Sequence, residues 1–314
     1  MATNKNITMK QFNGTDYDTL YPKTIASQVD ELLLAQILVT THPNTEVTAS
    51  LNGKTVSAMS NSSGLAILEI PSYGTWTVSA TIGGIFTSIN YEIKAVAQYE
   101  VALFPDLETI SWDDINSISE SGNASSILRI GDKKTVAIDG VNYEVQIIGF
   151  NHDTKTSGGK AGITFQLVRR LKTTYPMDAS ELGDNTKGWT KCTMRTSTMA
   201  TLLTKLPSAL QNVIKAVNKL TSAGSESATI NTTSDKLFLL SEVEVFGTTQ
   251  NSFAGEGSQY DYYKAGNSYN KGGPWWERSP AKNSGINYCI VGVLTGNETR
   301  RAKESEGVSF AFCV

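Results

Sequence analysis

Histidine is almost missing from this chain: only His42 and His152 occur among 314 residues. Acid–base catalysis built on imidazole therefore has little material. His42 precedes Pro43 at the start of a domain, and His152 sits in Asn151-His152-Asp153 just after a strand pattern, so both read as structural residues. The sequence lacks a Gly-x-Ser-x-Gly elbow, a phosphate-binding P-loop, a dinucleotide fingerprint and zinc-ligand spacing. We therefore expect no enzyme, no catalytic residue, no cofactor and no bound metal. Cysteine is also scarce, and Cys192, Cys289 and Cys313 are too widely spaced for a zinc cluster or a dense disulfide framework. They are expected as buried thiols, with a Cys289–Cys313 bridge between neighbouring strands as the alternative. No apolar run approaches the roughly 20 residues that cross a bilayer, and Met1–Asn6 opens no apolar signal segment. Membrane insertion is not expected, and folding in a cytosol is. Charge of one sign is lacking too: 27 basic and 30 acidic residues are well mixed, so no basic stripe is available for nucleic acid.

What the chain does have is strand pattern. Composition shifts near residues 38 and 106 divide it into a leader (1–37), a first globular part (38–105) and a second (106–314). In the leader, Ile25, Val29, Leu32, Leu33 and Gln36 fall on one face of a helix. Residues 38–105 alternate in β fashion around a central Trp76, with Asn52-Gly53 and Gly83-Gly84 as two-residue hairpin turns, which suggests a small immunoglobulin-like sandwich.

In the second part, Ser111 reads as a helix N-cap. Asp113 and Asp114 then complement the helix dipole rather than forming a catalytic pair. A hairpin turning at Asp139-Gly140 and a strand over 162–169 follow. Helices are expected over 197–206 and from Pro207, where Leu210, Val213, Ile214, Val217 and Leu220 keep helical spacing. Residues 236–246 read as strand, with Val243 and Val245 inward and Glu242 and Glu244 on a solvated face; paired carboxylates or calcium ligands are the rival reading of that pair. The loop 247–273 carries Phe253, Tyr260, Tyr262, Tyr263 and Tyr269 among small polar residues, the composition of an adaptable recognition surface. The fold class expected is multidomain, all-β and α+β.

Several segments carry a resemblance. Gly188-Trp189 to Arg195, Leu206 to Leu210, Thr232 to Glu244, Trp275-Trp276-Glu277-Arg278-Ser279-Pro280 and Gly307 to Val314 resemble a domain of unassigned chemistry common in prophages and gut Firmicutes. That domain is related to the C-type-lectin-like fold of tail-tip variable proteins from diversity-generating retroelements. The leader, Phe12-Asn13-Gly14-Thr15 to Tyr21-Pro22-Lys23-Thr24, is similar to the first residues of phage tail-fibre and baseplate proteins.

The resemblance implies a homotrimeric virion protein at the tail or baseplate periphery, assembled in the host cytoplasm. Its N-terminus joins other tail or baseplate proteins, and its C-terminal lectin-like domain meets a host surface glycan or protein. A structural baseplate or capsid decoration protein is the alternative, and a cell-wall glycan hydrolase ranks last because no acid–base constellation emerges. The calcium signature of animal lectins is absent. Candidate ligand contacts are Tyr260, Tyr262, Tyr263, Asn283, Asn287, Asn297, Glu298 and Arg300. Trp275, Trp276, Arg278, Phe310 and Phe312 are assigned to the core.

Overall fold

The computed structural model describes residues 9–12, 17–20, 34–292 and 296–314. The chain is mostly β and divides into two compact units, Met1–Phe104 and Pro105–Val314.

The first unit opens with a backbone hairpin, β1 (Met9–Phe12) with β2 (Tyr17–Leu20). The expected leader helix lies outside the described residues except for Gln36, which belongs instead to β3 (Ala35–Thr40). Six strands follow: β4 (Glu46–Leu51), β5 (Lys54–Met59), β6 (Leu65–Ile70), β7 (Gly74–Ile82), β8 (Ile85–Ile93) and β9 (Gln98–Ala102). They form two sheets, ordered β6-β3-β9 and β5-β4-β7-β8, with β3 and β9 parallel. Alternation supplies the buried faces: Ile37 and Val39 from β3, Leu68 and Ile70 from β6, Val47 and Ala49 from β4, and Trp76 and Val78 from β7. The Trp76 indole N–H donates to Ser72 O at 2.9 Å, so its burial leaves no unmet donor. Asn52-Gly53 and Gly83-Gly84 take positive φ at both positions and close the expected two-residue hairpins.

The second unit begins with α1 (Trp112–Glu120), where the Ser111 side chain accepts from Asp114 N–H at 3.1 Å, a capping role for the Asp113-Asp114 pair. Strands β10 (Lys133–Ile138), β11 (Val141–Phe150) and β12 (Ile163–Leu167) form a meander that turns first at Asp139-Gly140. Next come β13 (Tyr175–Pro176), α2 (Gly188–Lys191), a π-helical turn (Met194–Met199) running into α3 (Ala200–Thr204), and α4 (Ser208–Val213). The hairpin β14 (Val217–Gly224) and β15 (Ser227–Asp235) leads through β16 (Leu237–Phe238) to α5 (Glu242–Phe246) and α6 (Asp261–Lys264). The chain then forms β17 (Trp275–Pro280), β18 (Asn287–Val291), β19 (Asn297–Arg301), β20 (Ser305–Glu306) and β21 (Ala311–Cys313). The main sheet is ordered β10-β11-β12-β21-β16, with β21 inside it. Phe165 and Phe312 stack at 5.3 Å between ring centroids, and Trp112 meets Phe165 edge-on at 5.6 Å. All three cysteines are buried free thiols; burial pushes the Cys192 thiol up to about 12.

Two expectations are corrected here. The helix from Pro207 stops at Val213 because Lys215 N–H donates to Cys313 O at 2.9 Å and draws the chain into extended pairing. Val217 and Leu220 therefore lie on β14, and the helical spacing that joins them to Leu210 is accidental. Residues 236–246 are not one strand. Ser241 caps α5 with a complete capping box to Glu244, which makes Glu242–Phe246 helical and removes the solvated strand face expected for Glu242 and Glu244.

Gly224 links the β14–β15 turn to the rest of the unit. It has φ +85°, and a Cβ there would lie 1.9 Å from Asn185 O, whereas Gly140 has φ +77° with open space around it. Gly140→Ala should cost only the left-handed backbone strain of about 1–2 kcal/mol. Gly224→Ala should cost at least about 2 kcal/mol more, because backbone must move. Chemical denaturation of the two variants checks the difference.

Candidate functional site

The residue pattern of β14 places Lys219 inward, and its amine is almost fully buried. Burying an ammonium is costly unless it is paired, and here it donates to Asp153 Oδ1 at 2.8 Å, Glu244 Oε1 at 2.7 Å and Tyr260 Oη at 3.1 Å. The amine also sits 4.2 Å from the centroid of the Phe238 ring. Glu244, held in α5 by the capping box, receives both terminal nitrogens of the Arg278 guanidinium. Arg278 spends its other donors on Thr221 Oγ1 (3.0 Å), Leu239 O (2.9 Å) and Glu256 O (2.8 Å). Asp153 additionally accepts from Thr164 Oγ1 at 2.7 Å and Tyr260 Oη at 2.9 Å.

The result is an alternating chain of two acids and two bases, Asp153–Lys219–Glu244–Arg278. Burial opposes the charge on Asp153, but the Lys219 ammonium and its hydrogen bonds hold that carboxyl well below the usual carboxylate range. Burial likewise opposes charge on Glu244, and Arg278 and Lys219 lower its pKa nevertheless. A cleft of about 360 Å³ reaches this cluster, lined by His152, Asp153, Lys219, Glu244 and Gly257 among others. His152 stacks on Tyr260 at 4.0 Å, and burial lowers its pKa, so the ring is held neutral beside the cluster.

Two further acids lie nearby with the opposite tendency. Burial raises Glu256 to about 7, although its carboxyl accepts from Ser222 N–H at 2.7 Å and from Ser279 Oγ. Burial also pushes Glu277 well up, and neither of its carboxyl oxygens has a hydrogen-bond partner among the described residues. Glu242 is satisfied by the N–H groups of Asn251 and Ser252 at 2.8 and 2.7 Å. No group of residues suited to a metal ion occurs among the described residues.

The structure separates the candidate ligand contacts into two sets. Tyr260 belongs to the buried cluster, and Tyr263 is buried with its hydroxyl donating to Gln166 Oε1 at 2.6 Å. Their assignment to an exposed loop surface is therefore corrected: the phenol bodies fill the core of the second unit, and their hydroxyls satisfy buried partners. Tyr262 is half-buried and edge-on to Tyr263 at 5.2 Å.

The second set stays at the surface. Asn283 is exposed, and Asn287, Asn297, Glu298 and Arg300 are half-buried on the β18–β19 hairpin or beside it. Asn287 Nδ2 donates to Thr299 Oγ1 at 3.3 Å, and Asn297 Oδ1 accepts from Asn251 Nδ2 at 2.7 Å. Arg300 lies 3.2 Å from Glu306 and 3.7 Å from Glu298. Trp275, Trp276, Arg278, Phe310 and Phe312 are all fully buried. The Trp276 indole donates to Tyr175 O at 2.7 Å. Sequence reasoning missed the roles of Asp153, Lys219 and Glu256; of their partners, only the Ser241-x-x-Glu244 capping box was a readable signal.

Residues 168–314 are similar to a protein family described as Domain of unknown function (DUF6273). No curated protein matches the chain. Among solved structures, an N-terminal interface mutant of a type II cohesin–X-dockerin complex from Acetivibrio cellulolyticus matches at 18% identity and TM-score 0.22, covering 27% of this chain and 72% of that one. A C-terminal interface mutant of the same kind of complex matches at 18% identity and TM-score 0.20, covering 23% and 58%. These two likenesses carry no argument about fold or partner.

Two outcomes test the cluster. Lys219→Ala should destabilise the protein by about 3–5 kcal/mol, because it strands buried carboxylates; denaturant unfolding measures this. Glu256 has a folded pKa above its ordinary value, so its contribution is complete below about pH 4.5 and is lost as pH rises through about 7. Glu256→Gln keeps an acceptor for Ser222 and stays neutral. It should remove up to about 3 kcal/mol of the stability lost between those pH values, seen as a flatter profile of melting temperature against pH.

Proposed function

We propose that this chain is an adhesin-type receptor-binding protein of a phage tail or tail-like particle, and that it binds without turning substrate over. In this reading the first unit is an immunoglobulin-like spacer, the second is a C-type-lectin-like recognition domain, and the leader joins a homotrimer to other tail or baseplate proteins. The leader's similarity to tail-fibre and baseplate proteins supports the location. The observation that carries the reading is β19. This edge strand of the β17-β18-β19 sheet bears Asn297, Glu298, Thr299, Arg300 and Arg301, all polar and all at least partly exposed.

A charged edge resists pairing with another strand, which leaves its partly exposed side chains at the solvent face, where they can serve recognition. In the same sheet β17 carries Arg278, whose pairing with Glu244 ties that strand to α5. Rigid support under polar side chains is what hydrogen-bonded ligand recognition requires. Single contacts of this kind contribute only about 0.5–1.5 kcal/mol, so attachment relies on several copies engaging together.

The triple variant Asn283→Ala, Glu298→Ala, Arg300→Ala tests the surface. Its stability should stay within about 1 kcal/mol of the parent, because ion pairs at the solvent face contribute little. Particles carrying it should lose adsorption to host cells. Undiminished adsorption places recognition elsewhere on the chain. Failure of the unaltered particle's tips to contact cells, with labelled C-terminal regions found between subunits, overturns attachment in favour of a structural virion role.

A further inference from the structure

Several lysines of the second unit sit on a carboxylate: Lys155 on Glu120 at 3.1 Å, Lys187 on Asp178 at 2.9 Å, Lys205 on Asp139 at 2.6 Å and Lys215 on Glu120 at 3.1 Å. The segment after β12 is different. Arg169 and Lys172 are exposed, and neither side chain makes a hydrogen bond or ion pair with the described residues. Together with Arg170 they line a cleft of about 260 Å³ whose one carboxylate, Glu144, already faces Lys133 at 3.8 Å. Arg170 is fixed in place, since its backbone N–H donates to Lys271 O at 3.0 Å and its Nε to Gly272 O at 3.4 Å.

A second cleft of about 200 Å³ shares Tyr143 and Lys172 with the first and adds Tyr175. The two clefts adjoin at Tyr143 and Lys172 and together make a groove: Arg169 and Arg170 line the first, while half-buried Tyr175 lines the second beside Asp139, whose carboxylate is taken up by Lys205 at 2.6 Å. A further lysine lies nearby, its backbone O accepting from Arg170 N–H. The Lys271 amine is buried 5.7 and 5.9 Å from the Tyr262 and Tyr263 ring centroids, with no ion-pair partner among the described residues. Burial, with Lys133 nearby, lowers its pKa to about 7.

This surplus stands out in a chain whose formal net charge is −3. Guanidinium and ammonium groups left without carboxylates are suited to oxyanions, and tyrosine faces are suited to the C–H faces of sugar rings. Each half is too small for a large organic ligand but matches a small polar group.

We infer that the groove formed by Arg169, Arg170, Lys172, Tyr143 and Tyr175 is a binding site for an anionic glycan, one whose sugar rings carry phosphate or carboxylate groups. It is distinct from the β19 surface, and it rests on the attachment reading only for where such a polymer is met. The cations hold the oxyanion, and Tyr175 packs on the adjoining ring.

The test uses the full chain immobilised at low ionic strength with three soluble probes: phosphomannan, polygalacturonate and neutral dextran. Binding to phosphomannan, to polygalacturonate or to both supports the site and identifies the oxyanion, with dextran not retained. Arg169→Gln with Lys172→Gln should weaken that binding at least roughly tenfold. Tyr175→Ala should weaken it while leaving binding of inorganic polyphosphate unchanged, which separates ring stacking from bare charge. Melting temperatures establish that each variant is folded. The β19 triple variant should bind these polymers as the parent does, so a failure of cell attachment at β19 is distinguishable from a failure here. Absence of polymer binding by the parent, equal binding of dextran, or full binding by the Arg169→Gln, Lys172→Gln variant overturns the inference.

Discussion

The second unit is organised by one interaction, the two-pronged contact between the Arg278 guanidinium and the Glu244 carboxylate inside a fully buried cluster. Around it, α5, β14, β17 and the residues following β11 each contribute a charged side chain or a carbonyl. Taking four charges out of water costs several kcal/mol each before any attraction is counted. The arrangement is sustained because nearly every donor on Arg278 and Lys219 has an acceptor at hydrogen-bond length. Apolar side chains of equal volume can match such a cluster in stability. What they lack is direction, since a guanidinium donates only to the carbonyls that its planar fork can reach.

That directionality explains how a long loop becomes part of the core. Between α5 and α6 the chain gives Glu256 O to Arg278, Tyr260 Oη to Asp153, and the N–H groups of Asn251 and Ser252 to Glu242. A loop tied down at four points is not an adaptable surface, however rich in tyrosine it is. The cluster thereby fixes the loop. The exposed polar groups of the β18–β19 hairpin and of the segment after β12 lie outside the cluster.

The parts of this architecture legible in the sequence are those with local causes. Asn52-Gly53, Gly83-Gly84 and Asp139-Gly140 determine their turns through backbone conformations that few other residue pairs adopt, and Ser111 identifies a helix start by its own hydrogen bond. The β14–β15 hairpin was masked by the helical spacing that runs on through Val217 and Leu220, although Gly224, which with Ser225 and Glu226 takes left-handed φ, marked its turn. Leu210, Val213, Ile214, Val217 and Leu220 misled because a helix followed by a strand can retain a helical spacing by chance. Glu242 and Glu244 misled through alternation with valine, although Ser241 three residues before Glu244 carried the opposing signal. The cluster itself joins residues as far apart as 153 and 278, and no local pattern encodes such a meeting.

The place of β21 has a consequence for how the protein comes to be folded. It lies between β12 and β16, and Ile163 exchanges backbone hydrogen bonds with Val314 while Ser119 donates to Val314 O. Strands made early in synthesis thus remain without their central neighbour until the last described residues arrive. Pairings of such long sequence separation carry a large loop-closure entropy and form slowly. During that interval β12 and β16 present open edges and uncovered apolar faces, the state in which chains associate wrongly with one another. The first unit, whose hairpins close within a few residues, can be complete by then. A ribosome making this protein therefore carries a finished first unit attached to an unfinished sheet, and the waiting time of that sheet is written into the order of its strands.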